Sequence, residues 1–181
     1  IYNTLQLYRH DRLQFLKDSY AAAEERDFIL GAKLVRGAYM EKERKRAEEL
    51  KYISPIHSDK ISTDKDYNRA LEFCIQNHKT ISFCCASHNA DSNYLLAKRI
   101  DELRIEQNHP HINFCQLQGM SDNITYNLAK AGYNAAKYVV YGPVRDVIPY
   151  LIRRTQENTS ITGEMGRELK LITEEMKRRG I

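Results

Sequence analysis

No stretch of this sequence approaches the ~18 consecutive apolar residues that a membrane-spanning helix requires. No block of like charge stands out either: 28 Lys and Arg against 24 Asp and Glu leave a net charge of +4, spread through the chain. A nucleic-acid role gains little from that distribution. There is no GxGxxG and no GxxxxGK[ST], which removes the common dinucleotide and P-loop readings. No nucleophile-elbow motif accompanies Ser87 and His88 to support a Ser-His-Asp hydrolase. None of the four cysteines forms a CxxC pair, and Cys84 and Cys85 adjoin inside an apolar run. Cys74, Cys84, Cys85 and Cys115 are therefore expected to be buried free thiols, as in a reducing compartment. Tryptophan is absent, and so are an initiator Met, a signal stretch and any internal repeat. The opening run, residues 1–8, is strand-like, so the chain is expected to be the carboxyl-terminal part of a larger domain.

What is present fits one soluble globular unit: 181 residues, 42% hydrophobic and 29% charged. Short apolar runs alternate with longer amphipathic ones. Strands are predicted at 2–7, 32–36, 81–86, 112–117 and 137–140. Helices are predicted at 11–25, 41–50, 64–77, 91–107, 121–131, 144–157 and 164–179. Strands that each precede a helical pattern are the mark of βα units and a parallel sheet. The expectation is an α/β fold, a partial TIM-like (β/α)8 barrel of five βα units. A complete barrel runs to ~250 residues. Residues 1–160 would be the barrel portion and 161–181 a helical tail.

In such a barrel, chemistry collects where strands end. The residues just past the predicted strands are Arg36-Gly37-Ala38-Tyr39, Ser87-His88-Asn89, Gln116-Leu117-Gln118-Gly119-Met120 and Tyr141-Gly142-Pro143. Glycine lets a backbone approach a ligand closely, and the polar side chains among them describe a donor-rich rim around a pocket.

The sharpest single pattern lies in the helix predicted at 144–157. Tyr150, Arg153, Arg154 and Glu157 are spaced i, i+3, i+4, i+7 and share one stripe, beside Val147, Ile148, Leu151 and Ile152. Two adjacent guanidiniums at the edge of a buried face need an anion. Each fork matches a carboxylate bidentately, and Glu157 is one turn away. An ordinary surface pair between Arg and Glu157 would have the same spacing. Pro149 removes a backbone donor inside this helix and is expected to kink it.

Together these segments resemble the proline dehydrogenase family, flavin-containing β/α barrels, over nearly the whole chain. The resemblance is carried by Lys33-Leu34-Val35-Arg36-Gly37-Ala38-Tyr39, Lys60 with Thr63-Asp64, Ser87-His88-Asn89, Gln116-Leu117-Gln118-Gly119-Met120, Tyr138-Val139-Val140-Tyr141-Gly142-Pro143-Val144, and Tyr150-Leu151-Ile152-Arg153-Arg154 with Glu157-Asn158. It implies oxidation of L-proline to pyrroline-5-carboxylate, with hydride transfer to N5 of FAD and electrons passed on to a quinone or membrane acceptor. Arg153 and Arg154 would clamp the substrate carboxylate, while Tyr141, Tyr150 and Leu117 would wall its ring.

The resemblance also implies the cofactor contacts. Gln6 would hydrogen-bond the flavin, and Lys33 would stand near N5; Lys33 and Tyr141 are the implied catalytic residues. Arg36, Gly37 and Ala38 would hold the ribityl and pyrophosphate portion, with Tyr39 packing beside them. Ser87, His88 and Asn89 would make further contacts, Lys60 and Thr63 would face the adenine half, and Glu157 would lie near the ribityl chain. The family's opening strands, with a lysine for the substrate carboxylate and an aspartate near the cofactor, precede the matched part. Implied settings are the cytoplasm or the inner face of a bacterial membrane, or the mitochondrial matrix side, with peripheral membrane association and no spanning segment.

Two departures are visible. Lys33 and Arg36 invert the Arg-then-Lys order of some branches. Where many members carry glutamine two positions before the strand leucine, this chain has Cys115, and Gln116 lies one before Leu117. A one-residue shift on a strand turns a side chain to the opposite face. His109-Pro110-His111 lacks partners at metal-ligand spacing and reads as a loop, and 41–49 reads as a solvated helix face. Hydroxyproline oxidation within the same family, and a non-catalytic anion-binding barrel fragment, are the alternative readings.

Overall fold

Alternating burial sorts the strand side chains onto two faces. The computed structural model describes residues 1–160 and 162–180, apart from the side chains of 153–168. In chain order the elements are β1 (Asn3–Gln6), α1 (Arg12–Glu25), β2 (Leu30–Val35), α2 (Met40–Glu49), α3 (Lys60–Gln76), β3 (Ile81–Ala86), α4 (Ala90–Glu102), β4 (Ile112–Leu117), α5 (Asp122–Lys130), β5 (Ala135–Tyr138), α6 (Val144–Ser160) and α7 (Thr162–Arg179). The five strands form one sheet in sequence order, and β1 through β4 pair in parallel. Sequential parallel strands joined by helices make the α/β barrel wall that the sequence predicts. Two compact units result, Ile1–Lys137 and Tyr138–Ile181.

One face of the sheet carries Leu5, Leu7, Ala32, Leu34, Ile81, Phe83, Cys85, Ile112 and Phe114, all buried against α1, α3, α4 and α5. The helices answer with Leu16, Tyr67, Leu71, Ile75, Leu96, Ile100 and Leu128. Each large apolar side chain removed from water contributes about 1.5–3 kcal/mol. Tyr67 is fully buried, and its hydroxyl donates to the Leu34 carbonyl at 3.4 Å, so its polar tip is satisfied inside the core. Between β2 and β3 the chain makes two helices of unequal work: α3 buries six residues, α2 only Ala47.

β3 and β4 have the boundaries expected of them. The other elements differ at one or both ends, and three of those shifts have a plain local cause. α3 starts at Lys60, before the expected 64, because the Asp59 side chain accepts from Ser62 N at 2.7 Å and caps the helix there. α4 stops at Glu102, short of 107, where Arg104 turns left-handed (φ 53°) and Ile105 N donates back to Ile100 O. β5 begins two residues early at Ala135, since Phe114 N already donates to Asn134 O at 2.8 Å. α6 runs through Pro149.

All four cysteines are free, but only Cys74 and Cys85 are buried. Cys84 and Cys115 correct the expectation of four buried thiols. They alternate onto the sheet face opposite the helices and are only half covered.

Candidate functional site

At the carboxyl end of β2, Arg36 spreads its guanidinium over three elements. Nε donates to Asp64 Oδ1 at 2.6 Å, one terminal nitrogen to Ser87 Oγ at 2.7 Å, and the other to Ser92 Oγ at 2.9 Å. Its carbon lies 4.3 Å from the Tyr67 ring centroid, a cation–π distance. Lys60 Nζ reaches the other Asp64 oxygen at 2.6 Å. Burial opposes ionisation of Asp64, yet the hydrogen bonds from Lys60 and Arg36 hold its carboxyl below the usual range. Thr63 is buried one position earlier, with its hydroxyl directed to the Asp59 carbonyl at 3.4 Å.

Gly37 follows with φ +118°, and any Cβ there would run into the Tyr8 ring. Close approach of Tyr8 is thus what requires glycine at this point. Ala38 and Tyr39 are half-buried and lead into α2.

The Ser87-His88-Asn89 turn at the end of β3 is held from several directions. Ser87 Oγ accepts from Arg36 and from Asn89 N, and Asn89 Oδ1 caps α4 by accepting from Ser92 N at 2.8 Å. Beneath the turn lies a buried amide cluster. Gln116 Nε2 and Asn93 Nδ2 both donate to the Ser87 carbonyl at 3.1 Å, and Asn93 Nδ2 donates also to Asn89 O at 2.7 Å. Thr125 Oγ1 completes the set by donating to Gln116 Oε1 at 2.8 Å. His88 Nδ1 lies 3.0 Å from Ser121 Oγ. Burial, reinforced by the Lys137 cation, lowers the His88 pKa to about 4, so the ring is neutral at neutral pH.

The sheet face turned away from the helices carries the other predicted contacts. Register pairs Thr4 with Lys33 and Gln6 with Val35, then Lys33 with Cys84 and Ala86 with Cys115. Gln6, Lys33, Cys84, Cys115 and Leu117 therefore share this face. The Cys84 thiol is hydrogen-bonded to that of Cys115; that bond, then burial, raises its pKa against the pull of Lys33. Gln116 points the other way, into the amide cluster, as the shifted register of β4 demands.

So the first unit brings together Gln6 and Lys33 on one face, and Arg36, Lys60, Ser87, His88 and Asn89 through one connected network, while Thr63 bonds to the Asp59 carbonyl outside it. In the second unit Tyr141 is exposed and Tyr150 lies 6.4 Å from Tyr138, ring to ring. Arg153, Arg154 and Glu157 lie on α6, with side chains outside the described residues. Among the described residues no cluster of three or more His, Cys, Asp or Glu is arranged to hold a metal. His109 and His111 pack edge to face at 5.3 Å.

Sequence reasoning missed Ser92, Asn93 and Thr125 as supports of the turn. A signal was available: Asn93 falls on the stripe that continues through Leu96 and Ile100, a polar residue on the buried side of α4.

A charged and amide-bearing open face beside a turn with a neutral histidine fits a flat, polar-rimmed organic cofactor better than a bare anion. Lys33 supplies fixed positive charge, Gln6 an amide, and His88 a ring nitrogen at the strand end.

The family model described as proline dehydrogenase matches residues 1–167. "Proline dehydrogenase 2, mitochondrial" of Arabidopsis thaliana is 40% identical over 99% of this chain and 38% of its own. "Hydroxyproline dehydrogenase" of Xenopus laevis is 39% identical over 99% of this chain and 39% of its own. The chain thus spans under half the length of these relatives. Among solved structures, proline utilization A of Bdellovibrio bacteriovorus, inactivated by N-propargylglycine, superposes with a TM-score of 0.80 at 28% identity, covering 86% of this chain and 16% of that one.

Proposed function

The chain belongs to the proline dehydrogenase family, and from that premise we propose that the protein carrying it is an FAD-dependent enzyme that oxidises L-proline to pyrroline-5-carboxylate. The observation that carries this reading is the alignment of Gln6 and Lys33 on the sheet face opposite α1, α3, α4 and α5, next to the Ser87-His88-Asn89 turn. FAD, when bound, supplies the acceptor for the hydride leaving the carbon beside the proline nitrogen.

This chain's residues do the rest. Lys33 fixes a positive charge on the sheet face, which favours negative charge developing nearby. Gln6 offers an amide, and Arg36, Ser87, His88 and Asn89 form a polar wall whose side chains are oriented by hydrogen bonds within the chain. Gly37, Ala38 and Tyr39 border it, and Lys60 and Thr63 extend it toward the start of α3. Arg153 and Arg154 grip the substrate carboxylate, each fork able to take both oxygens, with Glu157 steadying the pair. Leu117, Tyr141 and Tyr150 wall the apolar ring. Holding the carboxylate and the ring at once leaves one orientation for the reacting carbon.

Electrons leave to a quinone at a membrane surface, with the protein peripheral to it. Several relatives are named mitochondrial, which fits a matrix-side location. Among the described residues no helix is long and apolar enough to cross a membrane.

Near-equal identity to a hydroxyproline dehydrogenase keeps hydroxyproline as a second substrate reading. The decisive experiment uses the full-length protein. It is expected to purify yellow and to bleach on anaerobic addition of L-proline. A folded, colourless full-length protein that cannot be reconstituted with FAD would overturn the proposal.

A further inference from the structure

Ser121 begins α5 in a costly way. It occupies the N-cap position with φ 53° and ψ 43°, the left-handed region that non-glycine residues seldom enter. An N-cap serine ordinarily accepts from a backbone N–H in the first turn; this one makes no such bond. Its side chain is instead 3.0 Å from His88 Nδ1. A second anchor holds the strained turn in place. Lys137 Nζ donates to the Met120 carbonyl at 2.6 Å and pairs with Asp122 Oδ1 at 2.6 Å, clasping Ser121 from both sides. Backbone strain, a forgone cap and an ammonium clasp all converge on one hydroxyl.

The direction of that hydrogen bond follows from satisfiability. Ser121 is buried. If its hydroxyl donates to Nδ1, its proton is used and His88 carries its own proton on Nε2. If Nδ1–H were the donor, the buried hydroxyl proton would need another acceptor, and the bond to His88 is the partner the structure gives that oxygen.

We propose that Ser121 is a positioning residue whose hydroxyl donates to His88 Nδ1, fixing the Nε2–H tautomer so that this N–H donates to an oxygen of the flavin cofactor. The ligand clause rests on the flavin reading above; the tautomer clause does not. His88 is held neutral by its buried setting and the Lys137 charge, so the donor it offers is an imidazole N–H, not an imidazolium.

The test uses full-length protein labelled with 15N-histidine, with the His88 signals assigned by their loss in His88→Gln. The expected spectrum shows Nδ1 without a proton and Nε2 with one. Ser121→Gly removes the hydroxyl and also relieves the left-handed strain, so it is expected to melt no lower than the parent. Its His88 should nevertheless lose the single tautomer, and its Kd for FAD should rise on the order of tenfold, as for one oriented hydrogen bond lost. Ser121→Ala repeats the reading should the glycine variant fold poorly, and the parent spectrum stands by itself. An Nδ1–H tautomer in the parent, an unchanged tautomer in both variants, or an unchanged Kd despite a lost tautomer would overturn the proposal. A protein with the stated tautomer that binds no FAD would sink the flavin reading and leave the Ser121–His88 assignment standing.

Discussion

Arg36 and Ser87 meet at 2.7 Å, guanidinium to hydroxyl, and so tie the carboxyl end of β2 to that of β3. The same fork holds α3 through Asp64 and α4 through Ser92. Four elements at one end of the sheet share a single planar cation, and planarity matters because each N–H direction is fixed by the others. The fork thus works beside the amide cluster under the Ser87 turn in tying this end of the sheet together.

Replacing that fork by a point charge tests the claim. Arg36→Lys keeps the charge but gathers its donors on one nitrogen, so it cannot span Asp64, Ser87 and Ser92 as the planar fork does, and it gives up stacking on Tyr67. The loss of folding stability is expected to be about 2 kcal/mol, below the full value for a broken buried pair because Arg36 retains some solvent contact. Arg36→Met should cost more, since Asp64 is left with Lys60 alone. Urea denaturation of the full-length protein reads both; equal stability of parent and Arg36→Lys would show the fork to be dispensable.

Acid should weaken this end of the molecule through His88. Its folded pKa of about 4 lies below the unfolded value of ~6.5. Between those values the unfolded chain binds more protons, so stability falls as pH falls. The contribution is fully present above about pH 6.5 and lost by about pH 4, with a size on the order of 3 kcal/mol. Carboxylates of the unfolded chain also begin to protonate toward the lower end of this range, and the control is therefore His88→Gln. Between pH 7 and pH 5 the parent's urea midpoint should drop more steeply than that of the variant. Parallel slopes would mean that the folded imidazole charges freely.

Gln116 is where sequence and structure inform each other best. In a strand, position parity decides the face, so one register shift predicts that Gln116 leaves the open face and Cys115 takes its place. The structure puts Gln116 in contact with Ser87, Asn93 and Thr125. Gln116→Leu should therefore destabilise the fold by about 1–3 kcal/mol, the cost of stranding buried polar partners. A Cys115→Ala change should leave folding stability nearly untouched. If thermal melts show the two variants to be alike, the amide cluster contributes nothing.

Legibility followed the range of the forces involved. β3 and β4 were readable to the residue because Ile81, Phe83 and Cys85, then Ile112, Phe114 and Gln116, alternate with half-covered neighbours. The start of α3 was less readable, although the capping Asp59 stood in plain view ahead of Ser62. Arg36 could be singled out by its motif, but not its use. Its partners lie 28, 51 and 56 residues away, and no local pattern reports a contact of that span. The left-handed backbone of Ser121 had no signal of its own, since glycine or asparagine is what usually marks such a turn.

Substrate choice should respond to Tyr141. A tyrosine ring walling the substrate would crowd a hydroxyl on the proline ring, so the protein is expected to have a lower kcat/KM for hydroxyproline than for proline. Tyr141→Ser should narrow that gap by opening space. Steady-state kinetics of the full-length protein on both substrates decides it, and equal kcat/KM values in the parent would contradict the role given to Tyr141.

The arginine pair offers the sharpest separation of enzyme from bystander. Arg153 and Arg154 are adjacent on α6, one turn from Tyr150 and from Glu157 on the same stripe. If Arg153 grips the substrate carboxylate, Arg153→Met strands that anion in a poorly solvated pocket. The affinity for proline should then fall by roughly 2–5 kcal/mol, as when one partner of a buried charge pair is removed. Arg153→Lys keeps the charge without the fork and should lie between the two. An exposed pair with Glu157 alone would change binding by less than about 1 kcal/mol. The readout is the Kd of a proline analogue that cannot be oxidised, measured on FAD-loaded full-length protein by the perturbation of the flavin spectrum. A methionine variant that binds the analogue as tightly as the parent would remove Arg153 from the substrate site, whatever its effect on turnover.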